Sequence, residues 1–128
     1  MHKVAIIGSG FGGLAERSKK ALALIEEFRR AGMWPPVVPT MVLVESLQGH
    51  PGRDANANRF LKTVVQDDVV SLDVARRAAE LRRRARRGSA VDALVVSLAE
   101  PNGTVLTGDE ADISALAAVS NGVGVELV

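Results

Sequence analysis

Three aspartates carry most of the chemistry this sequence is able to do. Asp92 sits beside an apolar stripe, Val91, Leu94, Val95 and Leu98, whose i, i+3, i+4, i+7 spacing predicts a helix. Pro101-Asn102-Gly103 stops that helix. Thr104-Val105-Leu106 is then a short apolar run between turn signals, as expected of a strand covered on both faces. Asp109, Glu110 and Asp112 follow at once. In an open α/β sheet the carboxyl ends of the strands form the ligand crevice, so Asp92 and Asp109 are expected at one rim. Carboxylates gathered there repel one another unless a cation lies between them, and hard divalent cations such as Mg²⁺ take oxygen ligands of this kind.

The elements that position these acids alternate between strand and helix signals. Lys3 to Ile7 is β-branched and apolar, a central strand. Gly8-Ser9-Gly10-Phe11-Gly12-Gly13 follows it and has the G-x-G-x-x-G spacing of a dinucleotide-binding turn. Against that reading, Val37-Val38 runs into Pro39-Thr40 with no acid to hold a ribose, and the chain is short for a nicotinamide or flavin enzyme. Ser18 to Ala31 reads as a helix with Ala21, Leu24, Ile25 and Phe28 inward and Gly32 as its stop. Val37-Val38 is the second strand, and Thr40 is expected to cap a short helix from Met41 to Gln48. A helix from Asp54 to Val65, a third strand Val69 to Leu72, and a helix Val74 to Arg87 capped by Asp73 come next. Ser114 to Ser120 is the last helix and Val123 to Val128 the last strand. Alternation of this kind predicts an α/β sandwich around a parallel sheet.

The order and spacing of nearly the whole chain resemble the PIN-domain family, specifically the VapC-type toxin ribonucleases. The family pattern is an Asp in a helix reading D-A-L-V-V or similar, a strand closing in T-x-D, and a further Asp. Here these are Asp92-Ala93-Leu94-Val95-Val96, Thr107-Gly108-Asp109 and Asp112. Glu45 in Val42-Leu43-Val44-Glu45-Ser46-Leu47-Gln48-Gly49 is similar to the family's A-E-V-x-x-G segment. Glu16-Arg17 stand eight and nine positions after Gly8, where relatives commonly carry Glu-Arg after their first catalytic Asp. By that alignment Gly8 takes the place of the first Asp, and Ser9 beside it offers only a hydroxyl.

The resemblance implies a three-layer α/β/α sandwich with about five parallel strands in the order 3-2-1-4-5. It implies Mg²⁺- or Mn²⁺-dependent cleavage of RNA, with Glu45, Asp92 and Asp109 as ligands, Asp112 as a supporting or second-metal ligand, and Thr107 and Ser9 in support. It also implies a homodimer inhibited by a cognate antitoxin. The missing acid at Gly8 leaves two versions of that reading: a weakened endoribonuclease, or a non-catalytic domain that binds RNA or an antitoxin.

Two features have a plain reading beside the functional one. Glu45 is either a solvated helix residue or a site acid; its neighbours Val42, Leu43, Val44 and Leu47 are apolar, and a charge among buried apolar groups needs a partner. Positions 76 to 87 hold seven arginines, Arg76, Arg77, Arg82, Arg83, Arg84, Arg86 and Arg87. They form either a solvated face favoured at a helix C-terminus or a surface for RNA phosphates or antitoxin acids, with Arg83, Arg84 and Arg87 as its centre. His50 in its loop reads as solvated. With 128 residues the chain is expected to be one domain. Its 47% hydrophobic and 24% charged residues are those of an ordinary globular protein, and a net charge of +1 means that any nucleic-acid surface is local. Without cysteine, disulfides and thiolate metal sites are excluded. No membrane span or leader is expected, and the cytoplasm is the expected compartment.

Overall fold

The computed structural model describes residues 5–128; Lys3 and Val4, expected in the first strand, lie outside them. The strands are β1 (Ala5–Ile7), β2 (Val37–Pro39), β3 (Val65–Asp67), β4 (Thr104–Thr107) and β5 (Gly124–Leu127). All pair in parallel, in the order β3-β2-β1-β4-β5. This is the expected topology. Helices α1 (Phe11–Ala15), α2 (Lys19–Arg30), α3 (Thr40–Ser46), α4 (Ala55–Leu61), α5 (Leu72–Ala85), α6 (Ala90–Ala99) and α7 (Glu110–Ala118) connect and cover them.

The core follows from the apolar runs. Ile6, Ile7, Val105 and Leu106 are buried, because β1 and β4 lie at the centre of a sheet covered on both faces. One layer is α5, α6 and α7, packed on one another and on β1, β4 and β5. The other is built from α1, α2 and α4, where the rings of Phe11 and Phe60 meet at 5.6 Å. α2 behaves as expected, with Ala21, Leu24, Ile25 and Phe28 buried and the Ser18 hydroxyl accepting from the Ala21 amide. In α6 the expected stripe widens to most of the circumference: Ala93, Leu94, Val95, Val96 and Ala99 are all buried. A helix between a sheet and two other helices has little solvent face to keep polar.

The middle of the chain departs from expectation. The third strand is Val65–Asp67, not Val69 to Leu72, and the helix before it ends at Leu61, not Val65. The Thr63 hydroxyl donates to the Phe60 carbonyl at 2.7 Å and closes that helix. The Val65 amide then donates to the Pro36 carbonyl at 3.0 Å and starts the edge pairing with β2. The Asp67 carboxylate accepts from the Val69 amide, turning the chain out of the sheet and leaving Val69 and Val70 exposed. Two β-branched runs stand four residues apart, and the first one to reach the edge takes the strand. Ser71, not Asp73, caps α5; Pro39, not Thr40, is the N-cap of α3; and α7 starts at Glu110, before Ser114. The glycine-rich turn contains a helix of its own, α1, which buries Phe11 and Leu14. No helix of the described residues is long and apolar enough to cross a membrane.

Candidate metal centre

β1 leads to β2 on one side, and its other neighbour is β4, so the chain switches direction across the sheet between β1 and β4. The carboxyl ends of those two strands are where such sheets take ligands. The acids arrive there from three elements. Asp109 stands two residues past the end of β4, Asp112 lies in the first turn of α7, and Asp92 lies in the first turn of α6. Each offers a carboxylate oxygen, and these atoms lie within 4.8 Å of one another. Asp92 and Asp112 are half-buried and Asp109 is exposed.

Local chemistry holds each acid in place. Asp92 belongs to a capping box: its amide donates to the Ser89 hydroxyl at 3.0 Å, and its carboxylate accepts from the Ser89 amide at 3.3 Å. Asp109 is set by Thr107, which is fully buried and whose hydroxyl accepts from the Asp109 amide at 2.9 Å. Ser9 joins the same network, 2.9 Å from the Thr107 hydroxyl and accepting from the Gly108 amide at 3.3 Å. With Ser9 donating to Thr107 and Thr107 donating to the Asp109 carbonyl (3.2 Å), every hydroxyl is satisfied. Ser9 and Thr107 therefore tie the end of β1 to the end of β4. Their role is to position Asp109. Asp112 pairs with Arg87, Nε to Oδ1 2.7 Å.

The fourth corner is Gly8. Its amide donates to the Leu106 carbonyl at 2.9 Å, which extends the β1–β4 ladder by one residue. A Cβ added there would meet Val95 at 3.5 Å, the Leu106 carbonyl oxygen at 3.6 Å and Val105 at 3.8 Å, all ordinary contacts. A side chain at position 8 would thus start toward α6, the helix that carries Asp92. Gly10 has a different reason to be glycine: a Cβ there would run into the Val128 side chain and come within 3.2 Å of the Thr107 backbone. Gly13 has nothing within 4 Å of its Cβ position. The spacing that resembles a dinucleotide fingerprint thus owes its second glycine to packing against the protein's own chain, and its third glycine packs against nothing.

Glu45 is exposed, and it is not among the carboxylates gathered within 4.8 Å. Its apolar neighbours do not enclose it, since Val44 is 82% exposed and Val42 alone of them is buried. The arginines divide. Arg77 makes a bidentate pair with Glu100, both contacts 2.8 Å, and Glu100 also accepts from the Asn121 amide. The Arg77 guanidinium holds the Glu100 carboxyl below the usual range, outweighing the opposing effect of burial. Arg84 donates to the Val119 carbonyl and Arg87 is engaged by Asp112, whereas Arg76, Arg83 and Arg86 have no ion pair among the described residues. Of the three arginines expected at the centre of a binding surface, only Arg83 is uncommitted.

No protein-family model matches the sequence, and no curated protein is significantly similar to it.

The three carboxylates fit a small hard cation. Oxygen ligands on opposite sides of Mg²⁺ stand about 4.2 Å apart, so oxygens within 4.8 Å need only a small closure to share one ion. A purely carboxylate donor set suits Mg²⁺ or Mn²⁺ better than zinc or copper, which favour nitrogen and sulfur. Two contributions were missed in the sequence, and one of them carried a signal. The Ser89-x-x-Asp92 cap was signalled by its spacing ahead of an apolar run. The Arg87–Asp112 pair, 25 residues apart, has no local signal.

Proposed function

We propose that this chain is a Mg²⁺- or Mn²⁺-dependent endoribonuclease of low intrinsic activity, the toxin of a toxin–antitoxin pair, with Asp92, Asp109 and Asp112 as its acidic centre. The observation that carries the reading is the convergence of these three carboxylates within 4.8 Å at the switch point of a parallel 3-2-1-4-5 sheet. The resemblance in sequence extends it to RNA as substrate and to an antitoxin as partner. A bound divalent cation would supply a polarised water and offset negative charge developing on the phosphodiester. The chain's own residues do the rest. The Ser9–Thr107 network fixes the backbone of Asp109 and the Ser89 amide holds the Asp92 carboxylate before the cation arrives, and Arg83, with Arg76 and Arg86, offers guanidinium groups to flanking phosphates.

Low activity follows from Gly8. One carboxylate fewer means weaker cation attraction, and the neighbouring Ser9 hydroxyl is already spent on Thr107. The same observation favours a second reading, a domain that binds RNA or antitoxin without cleaving. One assay separates the two. Under the first, purified protein cleaves RNA in Mn²⁺, loses cleavage in chelator, and loses it again in Asp109→Asn. RNA binding with no Mn²⁺-dependent cleavage selects the second reading. Cleavage that survives both chelator and Asp109→Asn refutes the metal centre.

A further inference from the structure

The acidic centre already holds a cation, the guanidinium of Arg87. Its Nε lies 2.7 Å from Oδ1 of Asp112, one of the three converging acids. Asp112 is 30% exposed in its side chain and Arg87 54%. The short loop that presents Arg87 is fixed on both sides. Arg86 before it adopts a left-handed conformation, φ 58°, with its amide bound to the Arg82 carbonyl at 3.0 Å. Gly88 after it has φ +97°, and a Cβ there would stand 2.7 Å from Leu116 of α7, so only glycine lets the loop lie this close to that helix. Arg82 returns to donate to the Gly88 carbonyl at 3.2 Å. Ser89, the next residue, caps α6 and engages Asp92. Four consecutive residues thus fix the α5–α6 turn, hold Asp92 and bring a positive charge onto Asp112.

We infer that Arg87 is a resident counter-ion of the acidic centre, which competes with a divalent cation for Asp112 and so sets how readily the centre fills. The inference rests on the metal-centre reading above. Three carboxylates within 4.8 Å carry three negative charges, and the guanidinium reduces that to two. A divalent ion drawing on Asp112 must displace Arg87 or accept a positive charge beside it, and both weaken binding. Displacement frees a guanidinium at the edge of the centre, the group best shaped to pair with a phosphate.

The test is Mn²⁺ titration of the purified protein, wild type, Arg87→Gln and Arg87→Lys, read by electron paramagnetic resonance and by melting temperature with and without Mn²⁺, with Asp109→Asn as the site control. Arg87→Gln is expected to bind Mn²⁺ about tenfold tighter than wild type. Arg87→Lys, which keeps the charge and loses the planar fork, is expected to fall between. Without metal, Arg87→Gln is expected to melt lower than wild type, and Mn²⁺ is expected to erase the difference. Equal or weaker Mn²⁺ binding in Arg87→Gln, with wild-type binding still dependent on Asp109, overturns the inference and leaves the metal centre standing. A melting deficit that Mn²⁺ does not repair assigns Arg87 to structure alone and likewise overturns it. No Asp109-dependent Mn²⁺ binding in any variant overturns the metal centre together with the inference.

Discussion

Asp54 and Asp109 occupy the same formal position, the N-cap of a helix, and neither caps its own helix with its side chain. From there they diverge. Asp54 is 6% exposed and turns back into the α3–α4 loop, where it accepts from the amides of Gln48 (2.9 Å), Gly49 (2.9 Å) and His50 (3.2 Å). His50 continues the loop, its Nδ1 accepting from the amides of Gly52 and Arg53. Asp109 is exposed, and its carboxylate has no hydrogen bond or ion pair among the described residues. The first acid has its negative charge met by backbone dipoles and is part of the scaffold. The second is left unmet beside two others, and that is a state a cation can complete. Burial and partners, more than residue type, separate a structural carboxylate from one left open to a cation.

The largest effect is expected at the satisfied acid. Asp54→Ala removes a buried carboxylate and leaves three loop amides without their acceptor. Its melting temperature is expected to fall by about 5–10 °C, while Mn²⁺ affinity stays at the wild-type value. A loss of Mn²⁺ affinity there would erase the contrast between the two acids. The pH dependence has a definite sign. The bond from the Gln48 amide, with those from His50 and Gly49, holds the Asp54 carboxyl below its ordinary value of 3.8 against the opposing pull of burial. A depressed folded-state pKa contributes stability above the unfolded value and loses it as pH falls through the folded one. Melting curves below about pH 4 should therefore drop more steeply for wild type than for Asp54→Asn.

An intermediate effect is expected at Gly8, where the structure leaves room for a side chain. Gly8→Asp should fold, melt lower than wild type without metal, and bind Mn²⁺ about tenfold tighter, since one added charge at short range acts on a doubly charged ion. RNA cleavage should rise with it. A folded Gly8→Asp with unchanged Mn²⁺ affinity would show that position 8 does not face the acidic centre. The smallest effect belongs to Arg83. Arg83→Ser should leave melting unchanged and lower the slope of log affinity for RNA against log salt by about one, as for a single phosphate contact. An unaltered slope returns that arginine to a solvated face.

The sequence by itself determined the two central strands. β1 and β4 are continuous apolar runs, which only strands buried on both faces require, and turn signals at Gly32, Pro35-Pro36 and Pro101-Asn102-Gly103 separate them from their neighbours. Asp109 and Asp112 were equally legible, because they stand within five residues of β4 and nowhere else for the chain to place them than the carboxyl rim. Tertiary structure decided whatever depends on distance across the fold. It chose Val65 over Val69 for the edge strand, since both runs satisfy strand propensity and only the path from α4 to the sheet distinguishes them. It left Glu45 exposed, because a helix turns apolar neighbours away from one another and Val44 faces outward. It buried Asp54 and gave it three amides, and it laid Arg87 on Asp112. Side-chain pattern reports which face of an element is inward, while the partner met there is set by elements tens of residues away, and no local spacing encodes it.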